Sequence, residues 1–221
     1  MKAACLLFLF ALARSGAVAV PTPDECAPLV APLPLDDRRQ LSGQRKFISG
    51  FTDSTVDNAI LRVTESTRVN LTAATHNDKD MLLYEEMLMN GTCYGTRLNV
   101  SIDGNVASAK MRNISSQFHL LPTCEGCQVL SINSTARNLK TFLEAFDLHI
   151  DDAVNDEFGI RSIYLFGNDV KDSDVEQFKK QAGCLGFSGE PDFTMDPEKG
   201  SGRSTRPRND FCDGRKVVMI N

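Results

Sequence analysis

The chain has 221 residues, 42% of them hydrophobic, a formal net charge of −5 and no tryptophan. A mildly acidic balance gives no general attraction to nucleic acid or to an anionic membrane surface. Beyond the first residues, no segment approaches the roughly 18 unbroken apolar residues of a membrane-spanning helix, and the length fits one domain with a sizeable core.

The opening "MKAACLLFLFALARSGAVAV" has a positive start at Lys2, an apolar run from Ala3 to Ala13 and a small-residue exit at Ala17-Val18-Ala19. This layout predicts a secretory signal peptide over residues 1–19, too short and wrongly flanked for a membrane span. Cleavage after Ala19 leaves 202 residues and removes Lys2 and Arg14 but no acid, which moves the net charge from −5 to −7. It also removes Cys5, so seven cysteines become six: Cys26, Cys93, Cys124, Cys127, Cys184 and Cys212. An even count in an exported chain predicts three disulfides, whose connectivity spacing alone does not fix. Five Asn-x-Ser/Thr acceptors, at Asn70, Asn90, Asn99, Asn113 and Asn133, predict an extracellular glycoprotein with those asparagines facing solvent.

Residues 20–40 carry five prolines, so they read as an irregular N-terminal arm rather than a helix or a central strand. Residues 41–195 read as the folded body. Its first run, "LSGQRKFISGF", is entered through Gly43 and places Phe47, Ser49 and Phe51 on one face, with Arg45 and Lys46 at its start. The runs that follow are "AILRVTESTRVNLTA", "MLLYEEMLM", "YGTRLNVSI", "VASAKMR", "QFHLL", "QVLSIN", "TFLEAFDLHI" and "GIRSIYLF". Turn residues separate them. In "IDGNV" either Asp103-Gly104 or Gly104-Asn105 forms a two-residue hairpin loop. Eight or nine strands in sequence, without interleaved helices, predict a sandwich or a closed antiparallel barrel. One helix follows in "KDSDVEQFKKQAGCLGF", where Ser173 and Glu176 are spaced as a capping box and Gly183 or Gly186 ends it. Residues 196–221 read as an irregular tail containing Arg203, Arg206 and Arg208.

For catalysis the sequence offers little. It has no Gly-x-Ser-x-Gly elbow, phosphate loop or His-Glu-x-x-His helix, and His76, His119 and His149 are scattered. The protein is read as a non-enzyme without cofactor or metal. Cys124-Glu125-Gly126-Cys127 has three readings: a loop staple, a thiol-redox motif or half a zinc site. The staple is favoured because the motif joins two strand-like runs, whereas a redox cysteine belongs at a helix N-terminus and zinc needs a second ligand pair.

A proline-bearing arm, a Gly-led first strand, a meander of eight strands and one late helix followed by a cysteine resemble the lipocalins. The stretches "CAPLVAPLPL", "CYGTRLNVSIDGNV", "FLEAFDL" and "VEQFKKQAGCLGFSGEPDF" resemble the alpha-1-acid glycoprotein (orosomucoid) branch, and within it fish plasma proteins named for binding tributyltin, saxitoxin and tetrodotoxin. The resemblance covers roughly residues 24 to 213. It implies an all-β fold: an eight-stranded antiparallel up-and-down barrel with one C-terminal α-helix. The chain departs from the family at Arg45, where Gly-x-Trp is usual, and at Phe146-Asp147-Leu148, which keeps only part of a Thr-Asp-x-x-Tyr-like turn. Arg45 is expected to seal the closed end of the barrel, its stem covering apolar surface.

The resemblance further implies disulfides Cys26–Cys184 and Cys93–Cys212, with Cys124 and Cys127 as an extra pair it does not explain. It places Glu85, Met87, Val106, Ser108, Glu144, Phe146, Ser162 and Tyr164 along the ligand pocket. An inward carboxylate is costly to desolvate without a partner, and a cationic ligand near Tyr164 and Phe146 would be one. The alternative is that the two glutamates are hydrated at the rim or paired with Arg161, Lys110 or Arg68. The expected protein is thus a monomeric secreted carrier of a small hydrophobic or cationic amphipathic compound in plasma, of toxin or xenobiotic type. The second expectation is an acute-phase or immunomodulatory glycoprotein acting through its surface and glycans.

Overall fold

The computed structural model describes residues 21–74, 80–148, 157–196, 212 and 216–220. The expected signal peptide, His76, His149 and the three tail arginines lie outside them.

Eight strands form the barrel: β1 Gly43–Thr52, β2 Thr64–Ala73, β3 Asp80–Met89, β4 Thr92–Asp103, β5 Val106–Met111, β6 Ile114–Leu121, β7 Gln128–Ala136 and β8 Phe158–Gly167. Each pairs antiparallel with the next, β8 returns to β1, and the meander closes on itself as a barrel. Gly104-Asn105 is the β4–β5 hairpin loop, because Asp103 pairs with Val106 and Gly104 takes φ +59°. Closure matters for a sheet of this size, since it leaves no exposed edge to pair with another chain. Two short strands are added, β9 Phe193–Thr194 beside β1 and β10 Val217–Met219 parallel to β4. The tail expected to be irregular therefore contributes β10.

Three further segments differ from the sequence reading. The arm forms helix α1, Pro23–Val30, because Pro23 sits in the first turn, where no N–H is needed, and Thr22 and Glu25 cap each other's backbone. The run "AILRVTESTRVNLTA" divides between helix α2, Thr55–Val63, and β2. Ser54 starts α2 by accepting from the Asp57 N–H at 3.3 Å. The run "TFLEAFDLHI" holds helix α3, Lys140–Glu144, and its turn, so nine apolar runs become eight strands.

The late helix, α4 Asp172–Cys184, begins slightly earlier than expected. Asp174, rather than Glu176, accepts the Lys171 N–H at 2.9 Å and closes its first turn. Gly186, at φ +89°, ends it, with the Phe187 N–H returning to the Ala182 carbonyl at 3.0 Å. Fully buried Phe178 and Ala182 of α4 pack on Phe51, Leu121, Ile163 and Leu165 outside the barrel wall.

Strand β1 does not keep one face throughout. A bulge between Phe47 and Ser49 shifts its register against β8, so Phe47 points into the barrel while Phe51 packs beneath α4. The expected common face of Phe47, Ser49 and Phe51 is thereby broken, and Gly50 takes the inward position. A Cβ there would meet Phe47 Cζ at 2.7 Å and Tyr164 Cδ1 at 2.8 Å.

Arg45 closes the barrel end where β1 begins. Its guanidinium donates to the carbonyls of Ser42 at 2.9 Å, Leu41 at 3.3 Å, Gly126 at 3.3 Å and Gln40 at 3.4 Å. Gln128 Nε2 joins it on Gln40 and Leu41. Three disulfides fix the periphery. Cys26–Cys184 ties α1 to α4, Cys93–Cys212 ties β4 to the tail, and Cys124–Cys127 staples the β6–β7 turn, with Cα separations of 5.3, 5.6 and 5.2 Å. Of the five predicted glycosylation asparagines, Asn90, Asn99, Asn113 and Asn133 are exposed and Asn70 is half-buried.

Candidate functional site

The barrel encloses a cavity of ≈ 290 Å³. The alternation of each strand sends one set of side chains into it. Phe47, Val69, Leu83, Leu98, Leu130 and Phe166 form apolar walls. At the mouth, opposite Arg45, two helices lie across the opening. Val56, Ile60 and Leu61 of α2 share one stripe, as expected from their helical spacing, and face the cavity. Leu139, Phe142 and Phe146 around α3 meet them from the other side, and Val56, Phe142, Phe146, Tyr94 and Ile220 form one apolar cluster.

Two carboxyl groups interrupt this lining. Asp57, in the first turn of α2, accepts 2.7 Å hydrogen bonds from Ser162 Oγ and from the Tyr164 hydroxyl on β8. These bonds latch the lid helix to the wall. Burial, together with the charge of Asp57, pushes the Tyr164 phenol well above its ordinary value, so it remains a donor. Asp57→Asn removes the charge that both hydroxyls address. Urea unfolding near pH 7 is expected to show a loss of about 1.5 kcal/mol, the scale of a hydrogen bond to a charged group.

Glu85 is different. It lies mid-strand on β3 between Val69 and Thr96, both buried, and it accepts no hydrogen bond and forms no ion pair among the described residues. Burial pushes its carboxyl up from 4.5 to about 7. The side chain keeps some accessible surface because it faces the cavity.

Of the residues expected along the pocket, Glu85, Met87, Phe146, Ser162 and Tyr164 line this cavity. Val106, Ser108 and Glu144 do not. On β5 the hairpin register turns Ala107, Ala109 and Met111 inward, which leaves Val106 and Ser108 outside. Glu144 ends a helix instead of continuing a strand, so Phe142 and Phe146 face in and Glu144 is exposed. The suggested cationic partners of the glutamates are elsewhere. Arg68 pairs with Glu86, Arg161 pairs with Asp53 at 2.7 Å, and Lys110 is on the exposed outer face.

Asp57 escaped the sequence reading, although Ser54-x-x-Asp57 before an apolar stripe is a helix-start signal. Cys124, Cys127 and Asp174 converge within 4.8 Å. The two sulfurs are bonded to each other, which is the staple arrangement.

A closed eight-stranded meander around an apolar cavity, with a helix packed on the wall after the last strand, defines the lipocalin fold. One solved structure supports the fold. The siderocalin Ex-FABP, which functions through dual ligand specificities, superposes with a TM-score of 0.52 over 71% of this chain and 95% of its own, at 10% identity. The bovine lipocalin allergen Bos d 2 gives a TM-score of 0.48 over 69% and 90%, at 11% identity. No protein-family model matches the chain, and no curated protein matches it in sequence.

Proposed function

We propose that the protein is a secreted, N-glycosylated carrier that sequesters a small hydrophobic or cationic amphipathic compound inside its barrel. The observation that carries this reading is Glu85, a carboxyl in a largely apolar cavity that, unlike Asp57, has no hydrogen-bond or ion-pair partner among the described residues. Its ionised form is disfavoured in the empty protein by about 3 kcal/mol, taking a shift from 4.5 to about 7 at roughly 1.4 kcal/mol per pKa unit. A ligand cation removes that penalty, while its apolar body gains the burial that the walls supply. At ≈ 290 Å³ the space suits a compact ligand, near the lower end of the roughly 300 to 1,000 Å³ usual for small-molecule sites. The resemblance to the orosomucoid branch, with its toxin-binding fish proteins, supports a toxin or xenobiotic as the natural cargo. The predicted signal peptide and the three disulfides support an extracellular setting.

A matched pair of probes tests this. At pH 8, 1-naphthylmethylammonium is expected to bind at least about tenfold more tightly than the neutral 1-naphthylmethanol, a difference of about 1.4 kcal/mol. Glu85→Gln is expected to abolish that preference while leaving the alcohol unaffected. Equal binding of both probes by the parent protein would refute the acidic subsite, and binding of neither would refute the carrier.

A further inference from the structure

We propose that the ligand enters and leaves sideways, through the seam between β4 and β5, and not through the mouth. The proposal rests on the carrier reading above and concerns how its cavity is reached. The mouth is covered by α2 and α3, and Asp57 fastens α2 to Ser162 and Tyr164 at 2.7 Å. Passage there requires breaking both bonds and parting an apolar cluster.

The seam is held differently. Strand β4 shares its outer edge between two partners: Val100–Asp103 pair with β5, and Cys93, Tyr94 and Gly95 pair with β10. Residues Thr96 to Asn99, between these ladders, have no paired residue in register on that edge among the described residues. If the β5 ladder continued, Leu98 would face Met111; instead the strands part, Thr96 Oγ1 donates to Met111 Sδ at 3.6 Å across the gap, and Met111 also packs against the edge of the mouth cluster. Unbranched methionine re-packs at low cost, and this sulfur contact is weak.

Directly outside lies an open groove of ≈ 810 Å³ that includes Arg97, Asn99, Ser101, Ser108 and Lys110. Leu98 and Ala109, with Ser116 on β6 and Ser134 on β7, line both this groove and the internal cavity, so the partition is a single layer of side chains there, and the strand ladder is interrupted at β4–β5. The barrel's other splayed seam is filled. Where β1 leaves β2 beyond Lys46, β9 takes the edge and Phe193 stacks on Phe47 at 4.4 Å. The β4–β5 seam therefore has the least to displace, with the polar groove as its vestibule.

The exchange of N-phenyl-1-naphthylamine, a neutral apolar fluorescent probe, followed by stopped flow on the full chain, decides the route. Met111→Ala is expected to accelerate association by about tenfold, and because Met111 also lines the cavity and packs against the mouth cluster, a crosslink assigns the route. In a second variant, Asn99→Cys with Lys110→Cys, both on exposed positions, a short bismaleimide joins the strands across the groove. Crosslinking is expected to slow both rates by at least about tenfold relative to the same protein before crosslinking. Unchanged rates after crosslinking, or faster exchange in Asp57→Asn but not in Met111→Ala, would overturn the side entrance and place the route at the mouth. Saturable equilibrium binding with insensitive rates defeats the seam alone, whereas absence of binding defeats the carrier and the seam with it.

Discussion

Replacing Glu85 with glutamine is expected to stabilise the empty protein at alkaline pH. Burial raises the Glu85 carboxyl from 4.5 to about 7, so the folded protein holds this proton more tightly than the unfolded chain does. Between those values the native state carries the extra proton, and unfolding free energy falls as pH rises. The loss is absent below about pH 4.5 and complete above about pH 7. It amounts to about 3 kcal/mol at most, less to the extent that the cavity face of the carboxyl is hydrated. Protonated glutamic acid and glutamine are close in shape and both neutral. Urea unfolding curves of the two proteins should therefore nearly coincide at pH 4.5 and separate at pH 8, with the glutamine variant the more stable. Coincidence at both pH values would mean that Glu85 is solvated in the folded state, and the argument for an acidic subsite would fail.

The second large effect is at the opposite end of the barrel. Arg45 is only 9% exposed, and its guanidinium serves four carbonyls, of Gln40, Leu41, Ser42 and Gly126. Truncation to alanine leaves those acceptors in a poorly hydrated cap and opens a void beneath the core. The expected cost is about 3 kcal/mol, the scale of several charge-assisted bonds lost together. Arg45 does not line the cavity, so probe affinity measured below the unfolding transition should be unchanged. Lysine at this position keeps the charge but not the planar fork, and is expected to recover less than half of the loss. Lost affinity with unchanged stability would place Arg45 at the ligand and not at the seal.

The sequence made some of this arrangement readable and hid the rest for identifiable reasons. On β3, alternation pairs Glu85 with Met87, and both prove to face inward. On β5, alternation pairs Val106 with Ser108 equally well, but inward direction is set by the hairpin register, which places Ala107 and Ala109 inside. The usual cue of a larger apolar residue facing the core is inverted there. The helices at the mouth were harder. α2 carries its own start signal at Ser54, but α3 has only five residues and no side-chain cap at Leu139. Its helicity comes from packing Phe142, Leu143 and Phe146 into the mouth cluster, a tertiary cause that no short window contains. Arg45 is placed at the closed end by the resemblance to lipocalins, which carry Trp there. Its acceptor on Gly126 lies 81 positions away in the chain and becomes visible only once the barrel is closed.

The bulge in β1 has the same character. Nothing in "RKFISGF" announces it, yet it lets one strand serve both the cavity, through Phe47, and the α4 interface, through Phe51. Gly50 fits because the bulge turns that position toward Phe47 and Tyr164, where a side chain has no room.

If Glu85 is the counter-charge of a cationic ligand, proton release on binding reports it most directly. Isothermal titration of the parent protein with 1-naphthylmethylammonium near pH 6.5, in two buffers of different ionisation enthalpy, counts the protons exchanged. With the empty-state value at about 7 and the bound carboxylate held ionised, between about half and one proton should leave per ligand bound. Release should vanish above pH 8.5 and be absent in Glu85→Gln. Tight binding without proton release at pH 6.5, or equal release from the glutamine variant, would contradict the assignment of Glu85 as the counter-charge of the ligand.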